Sequence, residues 1–116
     1  MWVAMNDSFV SIVQDRTNED RVVVRARVKE DLEATFPFHS DDIIETTNSD
    51  YRFRLFLDKY YVSKIMQERV LGIDYPNFKD SVKQPWRKKA YMDIWQTMFN
   101  VQADTYGAIK WWLNYR

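Results

Sequence analysis

The run Arg21-Val22-Val23-Val24-Arg25-Ala26-Arg27-Val28 decides the fold. β-Branched side chains suit a pleated surface, so the run predicts a strand. Side chains alternate across a strand. Val22, Val24, Ala26 and Val28 therefore share one face, and Arg21, Val23, Arg25 and Arg27 share the other. The apolar set needs helices packed on it, which leaves the arginine set on the opposite face of the sheet.

Reading upstream, Phe9 to Gln14 alternates loosely and predicts a second strand. Met1 to Met5 predicts a short strand before it, with Asn6-Asp7-Ser8 as the turn. Downstream, Lys29 to Phe36 changes to helical spacing, with Leu32 and Phe36 on one face, and Pro37 ends it. Ile43 to Thr47 predicts a strand and Asn48-Ser49-Asp50 a turn. Tyr51 to Leu57 alternates clearly. Tyr51, Phe53, Leu55 and Leu57 fall on one side, and Arg52, Arg54 and Phe56 on the other.

Asp58 is a natural N-cap for a helix carrying Tyr61, Val62, Ile65, Met66 and the stem of Arg69 at three-four spacing, and Gly72 stops it. Asp74-Tyr75-Pro76 predicts the opening of a short helix. Pro85 starts a longer one with Tyr91, Ile94, Trp95 and Met98 as a stripe. Asp104 to Arg116 predicts a final helix with Tyr106, Ile109 and Leu113 inward. The expected class is α+β: an antiparallel sheet with helices on one face, a ferredoxin-like ββαββα core and C-terminal helices. One domain is expected over residues 1–116, with 1–100 as core and 101–116 as a helical extension.

Hydrophobic residues make up 46% of the 116 and aromatics 16%, which is bulk enough for a core without staples. The chain has no Cys, which excludes disulfides, thiol catalysis and thiolate metal sites and suits a reducing cytoplasm. Met1 to Met5 runs straight into polar Asn6-Asp7, unlike a secretory signal. Apolar runs fall far short of the ~20 residues of a membrane helix. Charge is split: residues 1–58 hold seven cations and twelve anions, net −5, and residues 59–116 hold ten and five, net +5. Such a split suits pairing within the molecule or a bipolar recognition surface.

Arg25, Arg27, Arg52, Arg54 and Phe56 on one open sheet face are the primary binding candidates. Arg offers planar, bidentate hydrogen bonds to phosphate or carboxylate, and Phe56 offers a stacking partner for single-stranded nucleic acid. Against this, Glu45 and Asp15 lie close enough along the chain to neutralise such arginines in cross-strand pairs. Secondary candidates are Asp74, Tyr75, Asn77 and Lys79, the basic cluster Trp86, Arg87, Lys88 and Lys89, and the tail pair Trp111 and Trp112. In the basic cluster Trp86 is expected to anchor the helix start. An exposed tail Trp suits an interface, and a homodimer through the tail is the simplest such arrangement. His39-Ser40-Asp41-Asp42 reads as a solvated loop with Ser40 or Asp41 capping, since metal sites need three or four converging ligands. No Gly-rich phosphate loop or nucleophile elbow is present. No catalytic residue, metal or cofactor is expected.

Several segments taken together resemble a family of small uncharacterised proteins of bacteria and their phages. They are Met1-Trp2, Phe9-Val10-Ser11-Ile12-Val13, Val24-Arg25-Ala26-Arg27 with Asp31-Leu32, Asp50-Tyr51-Arg52, and Ile73-Asp74-Tyr75-Pro76-Asn77-Phe78-Lys79. Members continue into a helix with a Trp near the place of Trp95. The resemblance spans roughly residues 1–100 and implies no reaction. It implies that Arg25/Arg27, Tyr51/Arg52 and Asp74–Lys79 form a linked unit. A phage origin would favour a small cytoplasmic protein acting on a host protein. The expected function is therefore a non-catalytic interaction or regulatory protein with a protein partner. The alternative is a single-stranded nucleic-acid binder using the arginine face.

Overall fold

The computed structural model describes residues 1–107. The chain forms two compact units, Met1–Pro76 and one beginning at Asn77. The first holds five strands: β1 (Trp2–Ala4), β2 (Phe9–Gln14), β3 (Arg21–Ala26), β4 (Ile44–Glu45) and β5 (Phe53–Asp58). It also holds α1 (Lys29–Thr35), a 3-10 segment (Pro37–Asp42) and α2 (Lys59–Leu71). The second unit holds α3 (Phe78–Ser81) and α4 (Pro85–Tyr106). Among the described residues, no helix is long and apolar enough to cross a membrane.

All strand pairs are antiparallel, and the order is β1-β2-β3-β5-β4. The α+β class is as the sequence predicts. The ferredoxin-like ordering is only approximate: an extra strand borders β2, and β4 shrinks to two residues at the far edge. β3 is central. It pairs with β5 over six positions, from Arg21↔Asp58 to Ala26↔Phe53. That register puts Val22, Val24 and Ala26 on the same face as Leu57, Leu55 and Phe53.

This face is the core. Val10, Val24, Ala26, Leu32 and Phe36 are completely buried there, joined by Ile12, Val22, Leu55, Leu57 and Val62. α1 supplies Leu32, and Phe36 follows at its C-cap, one turn on, as their spacing predicts. α2 supplies Val62, with Tyr61, Ile65 and Met66 partly buried beside it. Asp58 caps α2 by accepting a hydrogen bond from the Tyr61 N–H at 2.9 Å.

Four local expectations need correction. Val28 lies past the end of β3 and only half-buried, because β3 stops at Ala26. The short helix begins after Pro76: Asn77 is its cap and accepts from the Asp80 N–H at 3.0 Å. Ser40 reaches back to Glu33 at 2.9 Å instead of capping its own loop. Finally, α4 runs unbroken through residue 104 to Tyr106, whose side chain is exposed rather than inward. Gly107 ends it at φ 76°, a left-handed conformation that favours glycine. Ile109, Trp111, Trp112 and Leu113 lie outside the described residues.

Leu32 tests this packing. Leu32→Ala removes a fully buried side chain, so urea unfolding should show a loss of about 2–5 kcal/mol. A loss under about 1 kcal/mol would mean that α1 does not seat on the sheet as described.

Candidate anion-binding face

The face of the sheet opposite the core is organised by one row of paired residues. Trp2 pairs with Ser11, Ser11 with Arg25, Arg25 with Arg54, and Arg54 with Ile44. Arg25 and Arg54 are thus cross-strand partners on two neighbouring inner strands, β3 and β5. Like charges in this position are destabilising, so what surrounds them decides what the face is for.

Hydroxyls and a ring, rather than carboxylates, surround them. Arg25 Nη2 donates to Ser11 Oγ at 2.8 Å, and Arg54 Nη2 donates to Ser49 Oγ at 2.8 Å. Ser49 in turn donates to Asp50 Oδ1 at 3.3 Å, so the nearest acid to Arg54 by this route is one hydroxyl removed. The guanidinium carbons of Arg25 and Arg27 lie 4.4 and 4.3 Å from the centre of the Tyr51 ring. Such cation–π contacts hold a charge in place without neutralising it. Arg25, Arg27 and Arg54 have no ion-pair partner among the described residues.

Two donors are left over. The Nε–H groups of Arg25 and Arg54 are shielded from water and have no acceptor. A buried donor without a partner costs about 1–3 kcal/mol, more when the group is charged. Cross-strand carboxylates do occur on this sheet, but elsewhere. Arg52 Nε donates to Glu45 at 3.0 Å, and Arg21 Nη2 lies 2.7 Å from Asp15 Oδ2. The acids expected to neutralise the face pair with its rim and leave its middle charged.

Of the primary candidates, Arg25 and Arg27 thus meet on the Tyr51 ring, and Arg54 is the cross-strand partner of Arg25. Arg52 is drawn to Glu45. Phe56 is exposed, with the Arg21 guanidinium 5.5 Å from its ring centre. Tyr51 corrects the predicted alternation. It sits in the bend before β5, its N–H bonded to Asp50 Oδ1 at 3.0 Å, and is buried against the arginines rather than in the helical core. Ser11 and Tyr51 were not among the sequence candidates for this face. The odd-numbered parity of Phe9, Ser11 and Val13 on β2 carried the signal for Ser11. Trp2, 73% exposed at the end of the row, adds an aromatic ring that tilts against Phe9 at 6.4 Å.

The secondary candidates do not form one site. Asp74 and Tyr75 line a groove of about 550 Å³ with Met1, Val3, Met66 and Ile73. Asn77 serves as the α3 cap, and Lys79 lies exposed on that helix. The segment from Asp74 to Lys79 is divided between the two compact units. In the basic cluster, Arg87 rather than Trp86 is the anchor. Arg87 is buried, donates from Nε to Gln84 Oε1 at 2.6 Å and stacks on Trp86 at 4.5 Å, while Trp86 is half-exposed. Lys89 pairs with Asp93 at 2.8 Å. Lys88 is half-buried, so the cations do not converge. His39 meets Asp42 at 3.2 Å, and no group of three metal-ligating side chains gathers among the described residues.

Comparison of the chain with protein-family models, with curated proteins and with solved structures gave no match. The functional reading rests on the face itself.

At its rim, Asp15 is held below the usual aspartate pKa range. The Thr17 N–H, at 2.9 Å, is the largest cause. Burial opposes it, and Arg21 and the Thr17 hydroxyl add to it. A depressed folded-state pKa stabilises the fold above the unfolded-state value and is lost as pH falls through the folded value. Asp15→Asn should therefore lower stability at neutral pH and make little difference below the carboxylate range. Urea midpoints from pH 2 to 7 test this; a constant gap between the two proteins across that range would contradict it.

Proposed function

We propose that this protein is a non-catalytic binding protein that engages an acidic protein partner through the Arg25, Arg27 and Arg54 face. One observation carries the reading: these three arginines are positioned by hydroxyls and by Tyr51, and no acid among the described residues pairs with them. Positioned arginines lose little side-chain freedom when a carboxylate or phosphate docks, which favours binding. Their net repulsion is relieved by the same event.

A protein partner fits better than a nucleic acid. Single-strand binders combine basic grooves with rings free to stack. Here Tyr51 is buried and Phe56 lies beneath Arg21. The whole chain has zero net charge, which gives little of the sequence-independent attraction such binders use. A nucleic-acid reading is favoured by Trp2 alone, exposed in the same row.

The test is capture from a cell lysate with and without nuclease, comparing the wild type with an Arg27→Glu/Arg54→Glu variant whose fold is checked by circular dichroism. The expected result is a discrete protein species that survives nuclease, weakens with salt and is absent with the variant. Capture that vanishes with nuclease would replace this reading with the nucleic-acid one. A species retained equally by the variant would remove the arginine face from the account.

A further inference from the structure

The geometry points to Arg25 and Arg54 as a site for a tetrahedral phosphate dianion, an inference that rests on the reading of this face as the binding surface. Arg25 and Arg54 are cross-strand partners on β3 and β5, so both side chains rise from one position on the same face of the sheet. Each has one terminal N–H on a serine hydroxyl, Ser11 or Ser49. Each has an Nε–H that meets neither water nor an acceptor. The pair therefore lacks two things: negative charge and hydrogen-bond acceptors.

A single carboxylate neutralises only one of the two cations. So does one phosphodiester of a nucleic-acid backbone. A phosphate monoester carries close to two negative charges above its second pKa of about 6, and three acceptor oxygens. It matches the pair in charge, and it has enough oxygens to bridge both groups. Because both Nε–H edges are shielded in the free protein, the anion engages them only as the guanidinium groups turn off their serine hydroxyls. Such bridging also suits guanidinium, whose fork of donors accepts two oxygens at once. Tyr51 and the two serines keep the arginines in place before the anion arrives. Arg27, exposed on the same Tyr51 ring, adds a third cation at the entrance. Among the described residues no other two arginines are cross-strand partners without an acid at either one.

Arginine Nε–H resonances of the full chain, followed by NMR at pH 8, read this site directly. The titrants are inorganic phosphate, O-phosphoserine, acetate and oligothymidylate, all at matched ionic strength. The expected result is saturable movement of the Arg25 and Arg54 resonances with phosphate or phosphoserine and none with acetate. Tighter binding of phosphoserine than of free phosphate marks an esterified group on the partner as the natural source, and the reverse marks the free ion. Arg54→Gln should weaken the titration at least tenfold, and Arg54→Lys, which keeps the charge but loses the fork, should weaken it nearly as much. Equal, unsaturating responses to phosphate and acetate would overturn the inference, as would oligothymidylate moving the same resonances as strongly as phosphate. If phosphate fails while the Arg27→Glu/Arg54→Glu variant still loses its protein partner, the dianion site falls and the binding face stands.

Discussion

The pairing of β3 with β5 at the register Arg25↔Arg54 is the constraint on which the rest of the unit Met1–Pro76 depends. It sets two surfaces at once. Val22, Val24 and Ala26 meet Leu57, Leu55 and Phe53 on the side that α1 and α2 cover. Arg25 meets Arg54 on the side they leave. Because side chains alternate with a period of two, a slip by one residue would bury the arginines and expose the valines. The hydrophobic core therefore holds two like charges against each other. Core burial is large compared with the roughly 0.2–1 kcal/mol at stake in a cross-strand pair, so the repulsion persists in the folded state.

That persistence is informative. Acids are near at hand: Asp15 takes Arg21, Glu45 takes Arg52, and Asp50 stops one hydroxyl short of Arg54. The central arginines instead receive neutral partners that fix direction and leave charge. A sheet face needing only solubility would gain from neutralising pairs or from mobile side chains. A face with uncompensated arginines held by neutral partners, and with unpaired Nε–H donors, is instead suited to receiving an anion.

Most of the architecture was legible in residue patterning. Alternation in Arg21–Val28 and Tyr51–Leu57 located the two central strands and their apolar faces, and Asp58 and Gly72 marked the ends of α2 correctly. Patterning failed where the chain leaves a regular element. Tyr51 continues the odd-numbered apolar series of β5, yet it sits in a bend where alternation no longer applies. Trp86 looked like an anchor by residue type, but Arg87 is buried in its place, with Gln84 and Tyr91 among its hydrogen-bond partners. At the site, the arginines could be read from parity. Which of them the acids would take could not, because Asp15 and Glu45 are assigned by register and turn geometry.

Arg25 and Arg54 repel each other without compensation. A double-mutant cycle on unfolding free energy, using Arg25→Gln, Arg54→Gln and the double variant, measures this directly. At low ionic strength the predicted coupling between the two arginines is unfavourable by about 0.2–1 kcal/mol, and it should shrink as salt is added. A coupling of zero, or one that favours the folded state, would contradict the account.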